Sequence, residues 1–428
     1  MLPRWALCLP GIVLAAAALA AETNKFQPRA EDWPQWQGPD RTGISHETGL
    51  LKNWPKDGPP LAWKVEDLGG GYSAPAVAAG RIFGMSLRGD DEVVWALDEA
   101  DGKEIWATPM AVKNSRVDKN PGPRCTPTVD GDRVYALGVS GDLVCLDAAT
   151  GKKRWHKNLA RDFQGRLMSR WGYSESPLVD GDKLICTPGG GQATLVALNK
   201  KTGATIWKAR VPQGDGASYA SAIAADVDGQ REYIQFLGRG IVGVAAKDGK
   251  FLWRYDRPAN SVANCTTPVY HNGEVFGSSA YKKGGGLVKL VRDGNRITAK
   301  EVYFSNDVRN HHGGVVLVDR YLYGGHGGNG ENRFFALVCL EFETGNVLWQ
   351  SHAAGKGSIA YADGCLYYRN EQGPMLLVEA TPKGYVERGR FEQPERSYLL
   401  AWSHPVIANG KLYLRDQGVL LCYDVKQH

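Results

Sequence analysis

Leu143-Val144-Cys145-Leu146-Asp147-Ala148-Ala149-Thr150-Gly151-Lys152-Lys153-Arg154-Trp155 decides the fold. An apolar run ends in an Asp, a Gly follows four residues later, and a Trp four after that. The same frame occurs at Asp98, Gly102 and Trp106, and at Asn199, Gly203 and Trp207. It recurs with Ala245 in the Asp place before Gly249 and Trp253, and with Glu341 before Gly345 and Trp349. From Trp106 the successive tryptophans are 49, 52, 46 and 96 residues apart, and the last gap leaves room for one degenerate copy. A fixed period of this length is the mark of a repeat architecture.

Each residue type has a mechanical task. An unbroken apolar run suits a strand buried on both faces. Asp or Asn at its end bonds the following backbone and starts a turn. Gly supplies the positive φ of a short hairpin. Trp on the returning strand is large and flat, with one N–H to place, and suits the gap between neighbouring sheets.

A second element precedes each hairpin, a short strand, a polar turn and another strand. Thr126-Pro127-Thr128-Val129 with Arg133-Val134-Tyr135 is one example. Eight such starts fall near residues 75, 127, 177, 222, 268, 315, 359 and 405. Four antiparallel strands per unit, eight units long, describe an all-β, eight-bladed β-propeller. The last unit ends at Leu420-Leu421-Cys422-Tyr423-Asp424 and lacks its outer strand, whereas Leu61-Ala62-Trp63-Lys64-Val65 has that pattern and no blade of its own. The ring is therefore expected to be closed by this N-terminal strand.

Composition fits. There are 53 Gly and 13 Trp but only 5 Met, as many short strands and tight turns would require. A net charge of +5, spread along the chain, gives no nucleic-acid footprint. Arg4, the apolar stretch from Ala6 to Ala17 and Ala18-Leu19-Ala20 read as an export signal. The expected organisation is a signal peptide at 1–20, an arm at 21–60 and a propeller at 61–428. The mature chain is expected in the periplasm or outside the cell, with no membrane span after cleavage. Seven cysteines remain, without a Cys-x-x-Cys pair, and most sit within apolar strand patterns as small buried hydrophobes.

The Asp-x-x-x-Gly-x-x-x-Trp frame resembles the tryptophan-docking repeat of the pyrroloquinoline quinone (PQQ)-like propeller superfamily, over essentially everything from Trp63 to Asp424. Three further stretches resemble uncharacterised bacterial members with PQQ-binding-like repeats. They are Trp33-Pro34-Gln35-Trp36-Gln37-Gly38-Pro39-Asp40-Arg41-Thr42-Gly43, Trp171-Gly172-Tyr173-Ser174-Glu175-Ser176-Pro177 and Asn310-His311-His312-Gly313-Gly314. The superfamily implies two functional classes. One is the quinoprotein dehydrogenases, with PQQ and usually Ca²⁺ on the ring axis; the other is the non-catalytic scaffold BamB. Fold alone does not choose between them.

Side chains just ahead of each innermost strand can converge on the channel mouth. Those expected to bind a ligand are Tyr72, Arg124, Arg170, Trp171, Tyr173, Glu175, Tyr219, Asn264, His311, His312 and Trp402. In the dehydrogenase reading, Glu175 and Asn264 would hold Ca²⁺ beside PQQ and Asp307 would be the base. The adjacent-cysteine pair of many PQQ alcohol dehydrogenases is absent, and no Gly-x-Ser-x-Gly element stands out. The leading expectation is thus an exported, non-catalytic binding or scaffolding propeller without a cofactor, its partner a protein or a small molecule. A PQQ- and Ca²⁺-dependent alcohol or sugar dehydrogenase is the alternative. Both histidines on one ion are not expected, because consecutive strand residues face opposite ways.

Overall fold

A computed structural model describes residues 26, 28–113, 122–294, 296–328 and 335–427. Among them the strands form eight sheets. Seven are consecutive four-stranded meanders, with innermost strands Ala76–Ala78, Thr128–Asp130, Leu178–Asp180, Ile223–Val227, Val269–His271, Val315–Val318 and Gly357–Ala362. These are blades 1 to 7, and each begins within about two residues of its predicted start. Blade 8 contains Val406–Ala408, Lys411–Asp416 and Val419–Asp424. Its fourth strand is Leu61–Val65, which pairs antiparallel with Val419–Asp424 and sets Trp63 opposite Cys422. The proposed signal at 1–20 lies outside the described residues.

The recurrent frame does what its chemistry suggests. Asp98 and Asp147 accept from backbone N–H groups two residues on, and Gly102, Gly151, Gly203, Gly249 and Gly345 all have φ between 70° and 74°. Five tryptophans dock on the next blade. Trp63, Trp106, Trp155, Trp207 and Trp349 donate through Nε1 to the carbonyls of Glu99, Ala148, Lys200, Ala246 and Thr381, at 2.8–3.2 Å. Four of these rings cover the glycine of the neighbouring turn so closely that a Cβ there would come within 2.6–3.0 Å of the ring. Trp63 docks blade 8 on blade 1, so the closing seam obeys the same rule as the interior of the ring.

Three blades, 4, 5 and 7, depart from it, and the outer strand of blade 7, Glu387–Phe391, carries no Trp. Blade 5 has a long hairpin, Gly284–Asp293 and Arg296–Ser305, without the Asp-x-x-x-Gly turn. Trp253 of blade 4 accordingly donates within its own blade, to Glu232 Oε2 at 2.8 Å. In blade 5 Tyr303 takes the Trp role and covers Gly345 of blade 6. This is the degenerate copy left room for by the 96-residue gap.

Two fully buried arginines strengthen the seam. Arg369 of blade 7 donates to the carbonyls of Ser403 and Arg415 in blade 8. Arg415 donates to Ser73 O, Met85 O and Ser86 Oγ in blade 1. Burial pulls the Arg415 guanidinium down to about 9, so desolvation outweighs what the carbonyls return. The described cysteines are all free, and all but Cys265 are buried.

The segment from Trp33 to Ser45 occupies the channel. Trp33 bridges Val77, and Pro34 O accepts from Val129 N. Arg41 donates to Ser176 O and Pro177 O, and Trp36 Nε1 to Thr267 Oγ1 at 2.9 Å. Gly43 O accepts from Tyr361 N, and Ile44–Ser45 adds a parallel strand to blade 7. Trp36 also packs on His404 of blade 8, with ring centroids 4.5 Å apart. A stretch this short reaches innermost strands all around the ring only by lying on its axis.

Candidate mouth pocket

Above this plug lies a cavity of about 350 Å³. Its floor is Trp36, and its wall is built from the chain leading into the innermost strands. Of the predicted residues, Tyr72, Arg124, Arg170, Trp171, Tyr219, His311, His312 and Trp402 line it together. The segment that carries Arg170 and Trp171 is strapped across blades 3 and 4. Arg166 N donates to Pro188 O, and Met168 N to Ala217 O.

Tyr173, Glu175 and Asn264 are not in the lining. The lead-ins are extended, so alternate side chains face opposite ways. Ser174 faces the cavity while Tyr173 and Glu175 turn back, and Ala263 and Cys265 face it while Asn264 turns back. Tyr173 donates to Pro188 O at 2.9 Å. The buried Glu175 carboxylate accepts from Thr187 N and from Gln235 Nε2, and burial pushes it up to about 7. Asn264 donates to Leu237 O at 3.0 Å and accepts from Asn260 N at 2.9 Å. Each of the three holds the wall together from behind. Asp307 is exposed, accepts from Ser305 Oγ at 2.8 Å and is also absent from the lining.

His311 and His312 differ from the expectation in the other direction. Their chain bends instead of extending, and both rings face the cavity with centroids 4.3 Å apart. Burial, aided by the charge of Lys356, lowers His311 to about 3 and His312 well below its usual value. His404 falls to about 4 for the first of these reasons, and its Nε2 donates to His312 O at 2.8 Å. All three rings are neutral near pH 7.

Behind the histidines, Lys356 and Glu371 form a buried ion pair at 3.1 Å. Trp402 Nε1 donates to the same Glu371 carboxylate at 3.1 Å, which fixes the ring that stacks at 5.0 Å on Tyr72. The expected ligand residues left out Trp36, Ser174, Ser221, Ala263, Cys265, Tyr281 and His404, which also line the cavity. Trp36 stood in the arm, and Tyr281 follows a second strand, away from any lead-in. Burial of its sulfur pushes the Cys265 thiol up to about 12, away from the thiolate form.

A hard cation asks for several oxygen ligands, carboxylates above all. The lining contains no Asp or Glu, and the oxygens of Glu175 and Asn264 are engaged elsewhere. Among the described residues no cluster of three or more His, Cys, Asp or Glu could hold a metal. The donor set therefore does not fit the Ca²⁺ that the dehydrogenases carry.

The family model described as outer membrane protein assembly factor BamB matches residues 47–187 and 90–351. BamB of Yersinia pestis is 26% identical over 376 residues, covering 80% of this chain and 82% of that one. Among solved structures, BamB from Moraxella catarrhalis superposes with a TM-score of 0.57 at 17% identity, over 80% of this chain and 94% of that one. The quinohemoprotein alcohol dehydrogenase of Comamonas testosteroni does so with a TM-score of 0.67 at 14% identity, over 96% and 82%. At such identities these structures show the shared propeller and nothing of its chemistry.

Proposed function

From a chain that belongs to the family of outer membrane protein assembly factor BamB, we propose a non-catalytic binding propeller with its ligand seat in the mouth pocket. In this reading residues 1–20 are an export signal, 21–60 are the arm and 61–428 are the ring. The mature protein works in the periplasm or outside the cell, where it binds a small molecule or a segment of a partner protein.

The observation that carries the reading is the lining itself. Six aromatic side chains, two arginines and three neutral histidines surround a floored cavity with no carboxylate to act as base or metal ligand. Apolar walls with a few fixed polar groups are the usual make-up of a small-ligand site.

The test is dye-linked oxidation of primary alcohols and aldoses by the full chain after loading with PQQ and Ca²⁺. Turnover above that of the unloaded protein would overturn the non-catalytic reading. None is expected.

A further inference from the structure

The mouth contains a hydrogen-bond relay whose direction follows from donor and acceptor chemistry. Lys356 Nζ is 3.1 Å from Glu371 Oε2 and 3.0 Å from His311 Nδ1. An ammonium group only donates, so Nδ1 accepts and the neutral ring carries its proton on Nε2. His311 Nε2 is 3.0 Å from Tyr281 Oη. The tyrosine oxygen therefore accepts from the ring, and its own O–H is left for a partner in the cavity that Tyr281 lines. Glu371 Oε2 also accepts from Trp402 Nε1 at 3.1 Å. One buried ion pair thus fixes both a directed donor and an aromatic face.

The lining offers a peptide N–H little in return. It includes no Asp, Glu, Asn or Gln, whose carboxylate and amide oxygens are strong acceptors. Ser221 Oγ already accepts from Ser176 N at 2.9 Å. His311 has both nitrogens in the relay, and both His312 nitrogens are buried. His404 donates through Nε2 to His312 O, which leaves its Nδ1 as an acceptor for a single N–H. Arg170, exposed in the lining, donates and never accepts.

An ordinary peptide carries an N–H at every residue, and each one buried without a partner costs affinity. Proline has no N–H. A run of prolines presents carbonyl oxygens alone, holds its extended shape before binding and packs its rings on aromatic faces. Such faces stand at two stations of the ring. Trp402 and Tyr72, 5.0 Å apart, lead into blades 8 and 1, and Trp171 and Tyr219, 5.9 Å apart, lead into blades 3 and 4.

Resting on the reading of the mouth as a binding site, we propose that its occupant is a proline-rich segment of a partner protein in the polyproline II conformation. One carbonyl of the segment accepts from Tyr281 and another from Arg170, while the pyrrolidine rings lie on Trp402, Tyr72 and Trp171.

Calorimetric titration of the full chain with capped hexaproline, capped hexaalanine and maltose tests this. Hexaproline is expected to bind at least about tenfold more tightly than either, a factor that one unmatched buried N–H would account for. Tyr281→Phe, which keeps the ring, should weaken hexaproline by roughly five- to tenfold, the worth of one directed hydrogen bond. Trp171→Ala should weaken it by about the same factor through the lost ring face. Unchanged thermal unfolding would establish that the variants fold, and if one does not, the other decides. The imidazole nitrogen-15 shifts of His311 read the relay itself. A protonated Nε2 is expected, and a protonated Nδ1 overturns the directed donor. Hexaalanine binding as tightly as hexaproline overturns the proline assignment, and maltose equal or tighter overturns the peptide. Hexaproline binding unmoved in the folded variants overturns the site. Failure of every probe overturns the prolyl segment but not the non-catalytic reading, which falls only to turnover in the dye assay.

Discussion

Trp106 lies across Gly151 of the following blade and donates through Nε1 to Ala148 O at 3.1 Å. A Cβ on Gly151 would come within 2.6 Å of the indole, at a φ of 70° that side chains rarely adopt. Gly151→Ala should therefore cost about 2–4 kcal/mol, strain and a displaced ring together. Gly131, at φ 55° with nothing within 4 Å of its Cβ position, isolates the backbone part. Gly131→Ala should cost about 1 kcal/mol. Urea unfolding of the two variants measures the difference, and equal losses would mean that the docked indole contributes nothing.

Arg415 joins the two ends of the ring through Ser73 O, Met85 O and Ser86 Oγ, without a carboxylate in direct contact among its hydrogen bonds. Arg415→Met fills much the same space but leaves these acceptors unmatched. A loss of about 3 kcal/mol or more is expected, since each buried unsatisfied polar group costs on the order of 1–3 kcal/mol. The same change at exposed Arg239 should lie within about 0.5 kcal/mol of the parent. The urea midpoints of the two variants decide it.

The ring was legible because its rule is local and repeated. Asp147, Gly151 and Trp155 lie within nine residues of each other, and four strands follow from each such frame. The site was legible only in part. Lead-ins to the inner strands pointed to the right end of the channel, yet which side chain of an extended pair faces inward is a matter of register. That is why Ser174 and Cys265 were overlooked beside Glu175 and Asn264. Trp36 reaches the cavity through a bond to Thr267, 231 residues away, and no local pattern encodes that.

Glu175 makes a pH dependence measurable. Its carboxyl is raised from 4.5 to about 7 in the folded chain, chiefly by burial. The folded state therefore holds a proton that the unfolded state releases between these values, and this contribution to stability fades as pH rises. Neutral His311 and His404 act in the opposite sense below about pH 6.5, so the parent curve alone mixes both effects. Glu175→Gln isolates one of them. The parent should lose stability relative to this variant between pH 5 and pH 8, and a constant gap in urea midpoint would contradict the raised carboxyl.

Arg41 pins the channel segment. Its guanidinium donates to Ser176 O at 2.8 Å, Pro177 O at 3.2 Å and Gln35 Oε1 at 3.1 Å, and burial draws it down to about 10. Arg41→Ala should release the segment while leaving the ring folded. Limited proteolysis should then cut between residues 28 and 45 at least about tenfold faster, as a local opening would allow. Cleavage in the blades at the same rate would mean that the segment is part of the ring's own folding unit.

The central claim is that this mouth binds without a hard cation, because the Glu175 and Asn264 oxygens are turned into the wall. Calorimetric titration of the full chain with PQQ, in the presence of Ca²⁺ and of a chelator, tests it most directly. The arrangement predicts isotherms that Ca²⁺ does not change. Stoichiometric PQQ binding that requires Ca²⁺ and is abolished by Glu175→Gln would contradict it.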